Sequence, residues 1–329
     1  MKKGIAIFVI VLLAVFTCFL IVLKVNEKES NLTKIRLAEV THSMFYAPLY
    51  VAIEEGYFEE EGIEIELILT PGADKVSAAV LSNDVEVGFA GTESSVYVYT
   101  GGESDYLQTF AGLTKRDGQF IVSKEPIDNF TMKDLVEKKV LVGRVGGMPY
   151  LSFEKAVVNE GVDTSKIEMD SSIEFAALSG SFIGGNGDFV NLFEPNATKL
   201  EKEGYGYVVA SVGLLADEVP YTAFYSRKSY INDNKELLEG FTRAINKGLE
   251  FVNKNNSEKI ANSIIDQFPD SSLNDVVTIV QRYKTSDSWL DNPFINEKSF
   301  DNLLEIMLSA DQIDEKVPYK NLINNLHEK

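Results

Sequence analysis

Two short segments hold the side chains best suited to gripping a small molecule. His42, Ser43, Phe45 and Tyr46 follow one apolar run, and Gly91, Thr92 and Glu93 follow another. Later in the chain, Phe193-Glu194 ends a third run and Tyr221 sits in a fourth. The set contains rings, hydroxyls, two carboxylates and an imidazole. A ring can stack on a flat ligand, a carboxylate accepts from N–H groups, and a histidine donates or accepts near neutral pH. Each glutamate also opens an expected helix, where an acid complements the helix dipole by about 0.3–1 kcal/mol, so both readings stand open. Arg116 lies between Lys115 and Asp117 in a connecting segment, where a surface charge cluster is the competing reading. Arg144, Gly146, Gly147 and Met148 make a glycine-rich loop before a helix, whose N–H groups attract an anion. Met148-Pro149 stands where a phosphate loop would need Lys-Ser/Thr, so this is no nucleotide loop.

What is missing matters equally. There is no Gly-x-Ser-x-Gly elbow and no His-Glu-x-x-His. The single cysteine, Cys18, lies in the amino-terminal apolar run, which leaves the folded part without a disulfide or a cysteine-based metal site. No cofactor is expected. A site for a small anion should be dominated by donors. This mixture instead suits a flat, nitrogen-containing ligand held by stacking and edge hydrogen bonds.

The elements that must position these residues can be read from periodicity. Ile35 to Val40 reads as a strand, and Tyr46, Leu49, Tyr50 and Ile53 repeat at helical spacing until Gly56. Ile63 to Leu69 alternates with glutamates, the mark of a half-exposed edge strand. A helix after Pro71-Gly72 and a strand at 85–89 complete a βαβαβ unit over Ile35–Ser95. Strands at 105–114, 119–123, 139–142, 167–169, 188–192, 206–211 and 219–227 alternate with helices at 149–160, 172–179 and 195–203. Beyond residue 230 the chain reads as amphipathic helices, such as the stripe Leu237, Leu238, Phe241, Ile245, Leu249 and Val252. Trp289 is expected to be a buried anchor, and Asp188 to lie away from the ligand end of its strand. The layout is α/β, with two lobes of mostly parallel sheet. Lobe 1 is 33–122 plus 219–329, including a helical tail packed back on it, and lobe 2 is 123–218. A two-strand hinge joins them, which allows closure around a ligand.

The net charge of −19 comes from 31 basic and 50 acidic residues. The first 30 residues hold four Lys and two Glu, so the remainder carries −21. Such a surface repels nucleic acid and anionic lipid. Lys2-Lys3 precede a charge-free run over Gly4–Leu23, roughly 30 Å as a helix and long enough to span a bilayer. Residues 1–26 read as an uncleaved signal-anchor, with the folded part outside the cytoplasm. Cleavage lacks a small-x-small site, and lipidation of Cys18 lacks small residues at Phe16 and Thr17.

These residues carry a resemblance. Tyr46-x-Pro48-x-Tyr50-Val51-Ala52, Glu54-x-Gly56-Tyr57-Phe58-x-x-x-Gly62-Ile63, Ala78 to Leu81, and Val87-Gly88-Phe89 with Gly91 resemble the solute-binding proteins of ABC importers. The branch is the one that includes sulfonate, taurine and nitrate binders and thiamine-pyrimidine-precursor binders. The match is densest over 35–123, looser through 220, and in the tail mostly one of layout. The resemblance implies a type II periplasmic-binding-protein fold and a monomer that hands a solute to a membrane permease driven by a cytoplasmic ATPase. The expected ligand-binding set is His42, Ser43, Phe45, Tyr46, Gly91, Thr92, Glu93, Arg116, Gly147, Met148, Phe193, Glu194 and Tyr221. The ligand is expected to be a thiamine-pyrimidine-like heterocycle, the alternative a sulfonate, taurine or nitrate. A pyrimidine-synthesising enzyme branch of the same fold uses a cysteine-rich motif that this chain lacks, so no catalysis is expected.

Overall fold

The computed structural model describes residues 32–327. The expected anchor over residues 1–26 therefore lies outside the described residues. Among those described, no helix is long and apolar enough to cross a membrane.

Ten strands build two five-stranded sheets. The first contains β1 (Thr33–Glu39), β2 (Ile63–Leu69), β3 (Val87–Gly91), β4 (Leu107–Thr114) and β10 (Thr222–Arg227), in the order β2-β1-β3-β10-β4. The second contains β5 (Phe120–Ser123), β6 (Lys139–Leu141), β7 (Glu168–Asp170), β8 (Phe189–Leu192) and β9 (Tyr207–Ser211), in the order β7-β6-β8-β5-β9. The alternating β2 is an edge strand, as its pattern requires. Four strands of each sheet run the same way. In each, the exception is the strand whose chain arrives from the other sheet: β5 is antiparallel to β8 and β9, and β10 to β3 and β4. The expected helix at 172–179 is shifted. A 3₁₀ turn at Phe175–Ala177 leads into a helix at Leu178–Ile183, which buries Leu178 and Phe182.

The helical tail packs on the first sheet. Helix Lys235–Lys254 buries Leu238, Phe241, Ile245, Leu249 and Val252 and leaves its charges outside. The Phe241 ring meets Phe58, Phe110 and Phe224, and Phe224 stacks on Phe89 at 4.3 Å. A Cβ at Gly248 would overlap the Pro48 carbonyl, so glycine allows helix Ala47–Glu54 to lie this close. Burying such rings contributes about 1.5–3 kcal/mol each. Trp289 is 3% exposed and donates from Nε1 to the Phe45 carbonyl at 2.8 Å, which pins the tail to the loop after β1.

A candidate solute cleft between the two sheets

The loop after β1 turns into a 3₁₀ segment at Met44–Tyr46 because Ser43 caps it, accepting from the Phe45 N–H at 3.2 Å. The same Ser43 hydroxyl donates to the Glu194 carbonyl at 3.1 Å, across to the second sheet. The Glu194 N–H donates to Tyr283 Oη at 3.1 Å. Its carboxylate accepts from the Thr198 N–H and hydroxyl, both at 2.8 Å, and from Arg282 at 2.5 Å. Glu194 is thus buried and fully satisfied. It ties helix Asn196–Lys202 to helix Leu273–Thr285, and neither carboxylate oxygen is free for a ligand.

His42 departs from its expected position as a ligand contact. Nδ1 lies 2.7 Å from Glu39 and Nε2 2.9 Å from the Gln267 carbonyl, and the ring sits between Tyr50 and Phe268. Glu39 also accepts from Tyr50 Oη at 2.8 Å. The Glu39 hydrogen bond raises the imidazole pKa despite partial burial. This bracket fastens the loop to its own sheet and leaves no ring nitrogen for a solute.

Arg116 is a tie rather than a free cation. It reaches the Gly213 carbonyl at 3.4 Å and lies 3.6 Å from Asp287 and 3.9 Å from Glu218, although its buried Nε has no partner. Phe45 is fully buried and packs in the crossing between sheets, where a Cβ at Gly118 would come within 2.7 Å of its ring.

The remaining groups behave differently. Thr92 Oγ1, Glu93 Oε2, both polar atoms of Gln119 and both of Asn191 are buried without a hydrogen-bond partner, while the Asp117 carboxyl and Tyr221 Oη lie within reach of each other. A buried orphan costs about 1–3 kcal/mol, so a cluster of them points to an absent partner. They come from both sheets and from the crossings. Thr92 and Glu93 follow β3, Tyr221 precedes β10, Asp117 and Gln119 precede β5, and Asn191 lies in β8. Burial raises the Glu93 carboxyl to about 7, against a weaker downward pull from its own N–H and that of Met148. Burial likewise raises Asp117 to about 7, opposed by the Gln119 N–H, Tyr221 and Ser152. Burial raises Tyr221 well above its usual range, and Asp117 raises it further by charge and by a hydrogen bond, with Tyr46 and Glu93 close enough to add to the shift, which places these four side chains in one field.

Met148 and Gly147 open helix Met148–Asn159 from the second sheet. Its first N–H pulls the Glu93 pKa down against the larger effect of burial, so this helix start faces a carboxyl of the protein itself. Gly91 is needed here because a Cβ would overlap the Glu93 carboxylate. The walls are aromatic: Tyr46 is edge-on to Phe89 at 4.4 Å, and Phe193 lies 5.7 Å from Phe45 and 6.5 Å from Tyr221. Two surface depressions, of about 290 Å³ beside Phe300 and Pro318 and about 250 Å³ beside Phe130 and Leu214, lie away from this cluster, and the second is lined by Ser211, whose buried hydroxyl also has no partner.

The structure therefore places Tyr46, Gly91, Thr92, Glu93, Met148, Phe193 and Tyr221 on the strand ends and crossings where the two sheets meet, and puts His42, Ser43, Glu194 and Arg116 into the framework around them. Sequence reasoning missed Gln119 and Asn191 and treated Asp117 as surface charge. A signal was present: one amide stands directly before an apolar strand, in Gln119-Phe120-Ile121-Val122, and the other interrupts one, in Phe189-Val190-Asn191-Leu192.

Comparison with known proteins agrees with this architecture. The family described as NMT1/THI5 like matches residues 44–259. A protein of Bacillus subtilis (strain 168) named "Putative binding protein YtlA" is 38% identical over 299 residues, covering 91% of this chain and 90% of its own. The alkanesulfonate-binding protein SsuA from Xanthomonas axonopodis pv. citri, bound to MOPS, superposes with a TM-score of 0.69 at 12% identity over 88% of this chain and 97% of its own. The periplasmic nitrate-binding protein NrtA from Synechocystis PCC 6803 superposes with a TM-score of 0.62 at 15% identity over 82% of this chain and 75% of its own. At such identities the two structures share the fold alone. The chain belongs to the NMT1/THI5-like family and has the fold of periplasmic solute-binding proteins.

Proposed function

We propose that this chain is the solute receptor of an ABC importer and captures a flat, nitrogen-bearing heterocycle of the thiamine-pyrimidine kind between its two sheets. The observation that carries this reading is the cluster of buried, partnerless polar groups, in which carboxylates and amides outnumber cations. Two carboxyls held near 7 can accept from ligand N–H groups or pair with a protonated ring. A sulfonate or nitrate would meet those same carboxyls, and the helix start that could hold it already faces Glu93. The similar proteins are named as binding proteins, which supports binding without chemistry. In this reading 123–218 is the moving lobe, residues 1–26 hold the receptor at the outer face of the membrane, and a permease with its ATPase takes the solute.

The test is native mass spectrometry of the full-length chain in detergent, followed by thermal shift with 4-aminopyrimidine, taurine, MOPS and nitrate. A co-purified heterocycle, or stabilisation by the aminopyrimidine alone, is expected. Stabilisation by an anion alone would sink the ligand class and leave the receptor.

A further inference from the structure

Gln119 and Asn191 are fully buried, and none of their four polar side-chain atoms has a partner. No ion pair or closure contact described above uses them. Their positions are linked by strand register. In the antiparallel pairing of β5 with β8, Ile121 lies opposite Asn191 and Phe120 opposite Leu192. Side chains alternate along a strand, so Gln119 falls on the face of Ile121 and stands diagonal to Asn191. Asp117 fixes that end of β5 by accepting the Gln119 N–H at 2.5 Å. The two amides thus share one face at one end of the second sheet, where Ile121 packs into that sheet's own core, and offer two N–H₂ donors and two carbonyl acceptors.

Such a pair selects by pattern. A sulfonate can use the donors but leaves both amide carbonyls unpaired. A simple cation uses the carbonyls and leaves the donors unpaired. An edge with an amino group beside a ring nitrogen supplies a donor and an acceptor together. Unpaired groups left in a buried site are what make rejection strong.

We propose that Gln119 and Asn191 are the specificity-determining residues of the cleft and read a donor–acceptor edge of the solute, such as an amino group adjacent to a ring nitrogen. This rests on the receptor reading above. The competing role is structural, with both amides held by internal water.

The experiment uses the full-length chain and its Asn191→Leu and Gln119→Met variants, which keep side-chain volume close to the original. Thermal midpoints are measured without ligand. Affinities are then measured by calorimetry for 4-aminopyrimidine, for 4-methylpyrimidine, which lacks the donor, and for ethanesulfonate. The expected result is a ligand-free midpoint that stays level or rises, because the orphaned amides are gone. Affinity for 4-aminopyrimidine falls roughly 100-fold and its preference over 4-methylpyrimidine collapses. A ligand-free midpoint several degrees lower in both variants assigns the amides to the framework and overturns the proposal. So does unchanged 4-aminopyrimidine binding in the variants, which leaves the receptor reading intact. Wild-type binding of ethanesulfonate with no response to 4-aminopyrimidine removes the ligand class and this proposal together, and that failure appears in the unmutated chain.

Discussion

Glu93 and Glu194 differ in one respect that separates framework from site. Each follows a strand at the facing ends of the two sheets, each is nearly inaccessible, and each stands at or just before a helix start. Glu194 has an arginine, a hydroxyl and a backbone N–H on its two oxygens. Glu93 keeps one oxygen without a partner, and burial drives its carboxyl up to about 7. Burial is therefore uninformative here, and satisfaction decides. A carboxylate whose bonds are all made holds the protein together. One left incomplete is destabilising until something else completes it.

The comparison breaks most visibly at Glu194. Glu194→Ala leaves Arg282 with Glu201 and the Thr198 hydroxyl, and strips the Thr198 N–H of its acceptor. Arg282 is partly exposed, which discounts the loss, and a stability decrease of about 2–3 kcal/mol is expected in urea unfolding. A change below the error of the measurement would mean the two glutamates are not distinguished by pairing.

Glu93→Gln should move the other way and by less. The folded carboxyl titrates near 7 and the unfolded one near its model value of 4.5. Between those values the folded state holds more protons than the unfolded state, so the wild type loses stability as pH rises through that window. The variant does not. It should be level with wild type at pH 4 and about 1–2 kcal/mol more stable at pH 8 without ligand, since cleft opening relieves part of the cost. Equal stability at both pH values would show that Glu93 is already hydrated.

The smallest effect belongs to His42. Its folded pKa is raised by Glu39, so its contribution is present below the unfolded value near 6.5 and is lost as pH rises through the folded value. Wild type should lose a few tenths of a kcal/mol relative to His42→Gln across that rise, discounted for the half-exposed ring. A flat difference between the two proteins would remove the bracket from the argument.

Much of the fold was legible because it rests on local patterns. The edge position of β2 follows from glutamates alternating with Ile63, Ile65 and Leu67, and the tail from one stripe at helical spacing. The site was legible only in part. Thr92, Glu93 and Tyr221 stand out as polar or aromatic residues at strand ends. His42 looked equally exposed to a ligand, but its partners, Glu39 and the Gln267 carbonyl, lie 3 and 225 residues away, and no local pattern shows a contact to a distant carbonyl. Glu194 presents the same difficulty, since Arg282 is 88 residues away. Gln119 and Asn191 were hidden for the opposite reason. One sits directly before an apolar strand and the other inside one, where a polar residue reads as noise unless its lack of a partner is known.

The chain crosses between the sheets at 115–119 and again at 212–221, and the two crossings are bonded to each other. The Val219 N–H donates to Lys115 and that of Tyr221 to Thr114, while the Val212 N–H donates to Gln119, each at 3.0 Å. A two-ply strap of this kind bends far more readily than it twists or shears, since either of those would break the rungs between its plies. The proposed opening is then a swing about a single axis. One distance between the halves, followed by a single pair of fluorophores, would describe the whole motion.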